Sequence, residues 1–338
     1  MMPRSILAQK VVNRLRRLLL AQVNKSRLVR LEWNDVYSDY RCKTSAKEIK
    51  WWDCPYIIRH INRLVCGEEC DGRSQGLIKK LQKRTNNKVY DFGVSVGFGT
   101  GIKEMQLIKE GIVRRFVLYE LSDEAIRIGK ENATNMGIGD RCEFIKGDCF
   151  RDNVAPESFD FVYWNDSLHH MTDVDLALRW SHEVLKKDGV FFMDDFVGPS
   201  RFQWTTANLK CATLVRSMLA PRYLRDPLNP QRTLPTRVRR RSVRSVIDSD
   251  PSEAAQSDMI LGCLRRYFQD ADICLTGGAL YHAALGDGII NNFQTSDPTD
   301  RNILNLILAL DELCIHNPRI GTHYATALAF KGENRRVL

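Results

Sequence analysis

Residues 89–101 read Val89-Tyr90-Asp91-Phe92-Gly93-Val94-Ser95-Val96-Gly97-Phe98-Gly99-Thr100-Gly101. β-Branched and aromatic residues dominate the first eight, which predicts a strand. The Gly-x-Gly-x-Gly that follows lets a ligand approach the backbone, because no Cβ stands in the way. Met105, Leu107 and Ile108 then recur at helical spacing up to Gly111.

Outward from this stretch, β-rich runs alternate with helical ones. A second strand over 115–119 ends at Glu120, and Ser122 can cap the next helix, with Asp123 and Glu124 at the positive end of its dipole. A third strand over 142–145 leads to Gly147-Asp148-Cys149. A fourth over 159–164 leads to Asn165-Asp166-Ser167-Leu168-His169-His170, and a fifth over 190–196 follows an amphipathic helix and the turn Asp188-Gly189. This is the pattern of an α/β fold: a Rossmann-like, mostly parallel sheet with helices on both faces. Residues 1–85 read as a helical N-terminal extension and candidate lid, and 86–197 as the nucleoside-binding core. Residues 198–266 read as a helical insertion with an arginine-rich loop and a candidate substrate cap. Within 267–338, two late strands over 272–283 and 324–330 and a helix over 303–313 would complete the sheet.

Three successive strand ends carry the chemistry. Glycines follow the first, Glu120 ends the second, where a carboxylate can accept from ribose hydroxyls, and Asp148 ends the third, where one can accept from an adenine amino group. The dinucleotide fingerprint needs Gly-x-Gly-x-x-Gly, whereas Gly97, Gly99 and Gly101 are followed by Ile102. No Gly-x-x-x-x-Gly-Lys-Ser/Thr occurs either. The ligand expected is a mononucleoside without pyrophosphate.

Val94 to Gly101, Glu120, Gly147-Asp148 and Asn165 to His170 together resemble the successive motifs of class I S-adenosylmethionine-dependent methyltransferases, over about 110 residues. The two late strands would then be the antiparallel pair that closes that family's seven-stranded sheet. The resemblance implies that Gly97, Gly99 and Gly101 lie under the methionine part of S-adenosylmethionine. It further implies that Glu120 holds the ribose, that Asp148 and Cys149 border the adenine, and that Asn165 approaches the sulfonium. The family usually has an acid two residues before the first glycine, and here that residue is Ser95. More narrowly, the segments 51–62, 196–204 and 250–254 resemble a bacterial-type subgroup met in glycan and secondary-metabolite pathways. Trp51, Trp52 and Trp204 in them are candidates for a lid or for the core.

The activity this implies is methyl transfer to an oxygen, less readily a nitrogen, of a small-molecule, sugar or lipid-linked glycan acceptor. A hydroxyl nucleophile needs a base. His169 is the first candidate, ahead of His170, with Asp194 and Asp195 at the end of the fifth strand as rivals and His282 on a late strand a weaker one. The alternatives are a non-catalytic binding module of the same fold and an RNA methyltransferase using the arginine-rich insertion.

The net charge of +9 is concentrated. Residues 1–30 hold eight basic side chains and no acid, and residues 231–245 hold six arginines and no acid, so the remainder is slightly acidic. Such a partition argues against a nucleic-acid-binding core. DNA is disfavoured further, because Asn165 is followed by Asp166-Ser167-Leu168 rather than by the Pro-Pro-aromatic sequence that grips a flipped base, and no Pro-Cys dipeptide occurs. Residues 1–30 have apolar residues at roughly helical spacing, which suits a peripheral membrane or protein contact or a helix packed on its own domain. The ten cysteines are scattered and the closest pair, Cys66 and Cys70, has no matching Cys/His pair at zinc-ligand spacing, so reduced thiols and no metal are expected. No apolar run approaches about 18 residues and the start lacks a small-residue cleavage site, which reads as a cytoplasmic protein.

Overall fold

The computed structural model describes residues 29–30, 32–34, 36–37 and 50–332. Most of the basic N-terminal segment, and with it the expectation of a membrane or protein contact there, lies outside the described residues.

Seven strands form one sheet: β1 (Tyr90–Val96), β2 (Val113–Glu120), β3 (Cys142–Lys146), β4 (Phe159–Asn165), β5 (Leu185–Phe196) and, after a two-stranded ribbon of β6 (Arg225–Asp226) and β7 (Asn229–Thr233), β8 (Asp272–Gly277) and β9 (Tyr324–Phe330). Their order is β3-β2-β1-β4-β5-β9-β8. The first five run parallel, and β9 lies antiparallel between β5 and β8. The chain turns one way from β1 to β2 and β3 and the other way to β4 and β5, so the switch point lies between β1 and β4, where open sheets bind ligands.

The period of two sorts each strand between two apolar layers. Val94, Val117, Val162, Trp164, Phe191 and Met193 face one core, while Phe116, Leu118, Phe161, Tyr163, Val190 and Phe192 face the other. The Trp164 indole N–H donates to Ser181 Oγ at 2.9 Å, which satisfies the one polar atom of the largest buried ring. Gly93 is required by packing: a Cβ there would lie 2.5 Å from the Phe116 ring. A third apolar cluster forms around the helix α1 (Pro55–Cys66) and the insertion; it contains Trp51, with Trp52 and Trp204 packed half-buried against it. A second helix, α2 (Gln75–Thr85), follows α1, and the loop between them reaches the sheet's ligand-binding edge.

Helix α3 (Ile102–Lys109) follows the glycine loop, and α4 (Asp123–Asn135) follows β2. Ser122 caps α4 as expected, its hydroxyl accepting from Ala125 N at 3.1 Å. Two expectations need correction. The insertion is not wholly helical, because Asp226 Oδ1 accepts from the N–H groups of Leu228 and Asn229 and closes the β6–β7 ribbon. The strand expected to run to residue 283 stops at Gly277. Gly277 and Gly278 take φ of +80° and +91°, and the Asp311 carboxylate accepts from Gly278 N and Leu280 N, so His282 falls on the short helix Tyr281–Ala284.

Candidate functional site

At the carboxyl ends of β1 to β4 the strand tips enclose a cavity of about 740 Å³, room enough for a nucleoside with a side arm. Gly97, Gly99, Glu120, Asp148, Cys149 and Asn165 all border it. Gly101 does not; with φ +73° it turns the chain into α3.

Glu120 is held by the loop it faces. Its Oε1 accepts from Leu121 N at 2.7 Å and Ser122 N at 3.1 Å, and its Oε2 accepts from Gly99 N at 3.1 Å. Burial pushes its carboxyl above the usual range against the pull of those three N–H groups. Asp148 Oδ1 accepts from Phe150 N at 3.2 Å and turns the chain at the end of β3. Burial beside Asp148 pushes the Cys149 thiol well up, so this residue forms a neutral wall.

Asn165 and Asp166 sit in a network whose members come from four parts of the chain. Lys103 Nζ donates to Asn165 O and Oδ1, both at 2.7 Å, and to Asp166 Oδ2 at 3.3 Å. Arg73 pairs with the same Asp166 oxygen. Burial would raise the Asp166 carboxyl, but Lys103 and Arg73 outweigh it and hold the group well below the ordinary range, hence ionised. Asn165 Nδ2 donates to Ser74 Oγ at 2.9 Å, and Ser74 Oγ donates to Asp194 Oδ2 at 2.6 Å. Burial and the neighbouring Asp166 push Asp194 up to about 6.

Two of the base candidates, His169 and Asp195, form one unit. His169 Nδ1 lies 2.6 Å from Asp195 Oδ1, and the ring is buried. Asp195 is fully buried, and its Oδ2 also accepts from Ser167 N and Leu168 N at 2.9 and 2.8 Å, so it holds the turn that carries His169. Burial lowers the His169 pKa, but Asp195 outweighs it and the pKa rises to about 9. His169 Nε2 is 3.5 Å from Glu253 Oε1. His169, Asp194 and Asp195 lie behind the Asn165–Ser167 segment rather than on the wall of the cavity. The ring on that wall is His170, 3.1 Å from Ser252 Oγ.

Sequence reasoning missed several of these residues. Trp33 and Tyr37, on a helical segment over the cavity, stack at 5.7 Å, and Asn34 Oδ1 pins that segment by accepting from Ser122 Oγ at 2.8 Å. The spacing of Val29, Trp33 and Tyr37, four residues apart as on one face of a helix, was the available signal. Ser95 Oγ donates at 2.7 Å to Glu104, a buried carboxyl whose Oε2 has no partner, so an acid stands beside Ser95 from nine residues on. The arginine-rich run is partly tied down: Arg240 Nε donates to Trp204 O at 2.8 Å and Arg241 to Ser245 O at 3.1 Å. No helix among the described residues is long and apolar enough to cross a membrane. The described cysteines are free thiols.

Residues 94–222 match the family model described as a methyltransferase domain. Over 121 residues the chain is 34% identical to the sterol 4-C-methyltransferase of Caenorhabditis elegans, covering 36% of this chain and 34% of that one. Over 89 residues it is 28% identical to the ubiquinone/menaquinone biosynthesis C-methyltransferase of Klebsiella pneumoniae, covering 26% and 36%. The chain therefore spans about a third of the length of these curated relatives. A solved phosphoethanolamine N-methyltransferase 2 of Haemonchus contortus, in complex with S-adenosyl-L-methionine, aligns over 88% of this chain and 60% of its own at 13% identity and a TM-score of 0.48.

Proposed function

Because residues 94–222 form a methyltransferase domain of the class I, S-adenosylmethionine-dependent type, we propose that this protein transfers a methyl group from S-adenosylmethionine to an oxygen of a small acceptor. A sugar or lipid-linked glycan is the acceptor class favoured. The observation that carries the reading is the convergence of Gly99, Glu120 and Asp148, from three strand tips, on one cavity.

The residues present fit that cofactor. Glu120, already oriented by three backbone N–H groups, has acceptor capacity left for ribose hydroxyls. Asp148 and the wall formed by Cys149 and Phe150 suit an adenine, polar at its amino group and apolar on its faces. Lys103 and ionised Asp166 offer a cation and an anion side by side, complementary to the carboxylate and ammonium of a methionine arm. Glu104, hydrogen-bonded to Ser95, returns an acid to the neighbourhood where the family has one.

When bound, S-adenosylmethionine supplies a methyl group on a positively charged sulfur, an electrophile that needs alignment and dryness more than acid assistance. Trp33 and Tyr37 cover the cavity and exclude water. His169, oriented by Asp195, is the group that engages the acceptor hydroxyl, its neutral form taking the proton and growing in population as pH rises toward about 9. Asp194 positions the rim through Ser74 rather than acting on the acceptor. Oxygen is favoured because a hydroxyl acceptor needs a base, and His169, His170 and Glu253 gather beside the cavity.

Gly99→Ala is expected to weaken S-adenosylmethionine binding about tenfold. It would strain a backbone at φ +62° and place a Cβ 2.6 Å from the Tyr37 hydroxyl, at a cost of about 1–2 kcal/mol. Calorimetry beside an unchanged circular dichroism spectrum checks this. The function itself is tested by incubating the full chain and methyl-labelled S-adenosylmethionine with cell extract, then identifying the product by mass. An O-methylated small molecule is expected; label confined to carbon, nitrogen or RNA, or no transfer, would overturn the reading.

A further inference from the structure

His169, His170 and Glu253 each place one ligand atom within 4.8 Å of the other two, beside the cavity, the two histidines being consecutive and Glu253 lying 83 residues beyond His170. We propose that these three side chains bind a divalent transition-metal ion of the zinc, cobalt or manganese class, with an open coordination position toward the acceptor. Its role at the acceptor rests on the function proposed above, with His169 then acting on the acceptor hydroxyl through the bound ion rather than by taking the proton itself; the binding of the ion does not.

The surroundings of the two rings support it. His169 Nδ1 faces Asp195 Oδ1 at 2.6 Å, the carboxylate–histidine arrangement that orients a ligating imidazole and leaves Nε2 as the nitrogen turned to an ion, which would displace its proton on binding. His170 is anchored in the same way at one remove. The single Ser252 hydroxyl proton goes to Asp250 Oδ1 at 2.6 Å, so Ser252 Oγ accepts from His170 Nδ1 at 3.1 Å and the other nitrogen is again free. Glu253 Oε1 stands 3.5 Å from His169 Nε2. Bonds of about 2.1 Å at tetrahedral angles place ligand atoms about 3.4 Å apart, so the His169–Glu253 pair is already at that spacing and small side-chain rotations bring in the third ligand. Two imidazoles and one carboxylate suit zinc, cobalt, manganese and iron(II), and three protein ligands leave a position open. His170 lines the cavity together with Ser252, so an ion held by it would lie at the cavity edge. Local ligand spacing in the sequence could not reveal the site, since Glu253 comes from the insertion.

The test uses the full chain stripped with a chelator and titrated with Co²⁺. The expected result is one Co²⁺ per chain with visible d–d bands, bleached by Zn²⁺, and an affinity at least about 100-fold lower in His170→Ala and in Glu253→Gln. Circular dichroism guards against loss of fold. Absence of the bands, or unchanged affinity in both folded variants, would overturn the proposal. Calorimetry with S-adenosylmethionine on the same stripped protein separates the two readings. Normal cofactor binding without Co²⁺ binding removes the metal site alone, whereas Co²⁺ binding without cofactor binding removes the proposed function and leaves the site.

Discussion

Glu120→Ala is expected to raise the dissociation constant for S-adenosylmethionine roughly 10- to 150-fold. A hydrogen bond to a charged acceptor contributes about 1.5–3 kcal/mol, and each 1.4 kcal/mol is tenfold in affinity. The side chain does two things at once: it accepts from the ribose, and it ties Gly99, Leu121 and Ser122 into the shape of the cradle. Glu120→Gln keeps one acceptor oxygen and is expected to lose less, about tenfold. Both variants should fold, because these contacts lie at the rim of the sheet and not in either apolar layer. Calorimetry reads the result, and a dissociation constant within twofold of the parent would remove Glu120 from the ribose.

His169→Ala is expected to lower kcat about 100-fold or more while leaving the dissociation constant for S-adenosylmethionine nearly unchanged. A correctly placed acid–base group contributes about 10²- to 10⁴-fold, and His169 does not border the cofactor cavity. The substitution leaves Asp195 satisfied, since Ser167 N, Leu168 N and Phe196 N still donate to it, so the loss should not come from unfolding. Single-turnover measurement with saturating cofactor separates the rate from binding. Full activity in this variant would move the acceptor-activating role to His170 or Glu253.

Much of this arrangement was legible in the residues. Alternation along the strands carried the two-layered sheet, since a one-residue shift would exchange Val117 and Tyr119 for Phe116 and Leu118 between the two cores. The spacing of Gly97, Gly99 and Gly101, with acids ending the next two strands, placed the cavity because strand tips in a parallel sheet share one edge. What stayed hidden depends on contacts between distant segments. Arg73 and Ser74 reach Asp166 and Asp194 from a loop ahead of the sheet, the partners being 93 and 120 positions apart in sequence. Glu253 reaches His169 from the insertion, and no periodicity encodes such a meeting. Ser95 read as a missing acid because the substitute, Glu104, lies in the first turn of α3 and comes back to it only in three dimensions. His282 read as a strand residue because Gly277 and Gly278 look permissive in sequence, and only the Asp311 carboxylate behind them makes them a stop.

The most direct test is a crystal structure of the full chain with S-adenosylhomocysteine. The ribose hydroxyls are predicted on Glu120, the adenine amino group on Asp148 and the amino-acid arm between Lys103 and Asp166. A ligand bound elsewhere, or these side chains pointing away from it, would contradict the account.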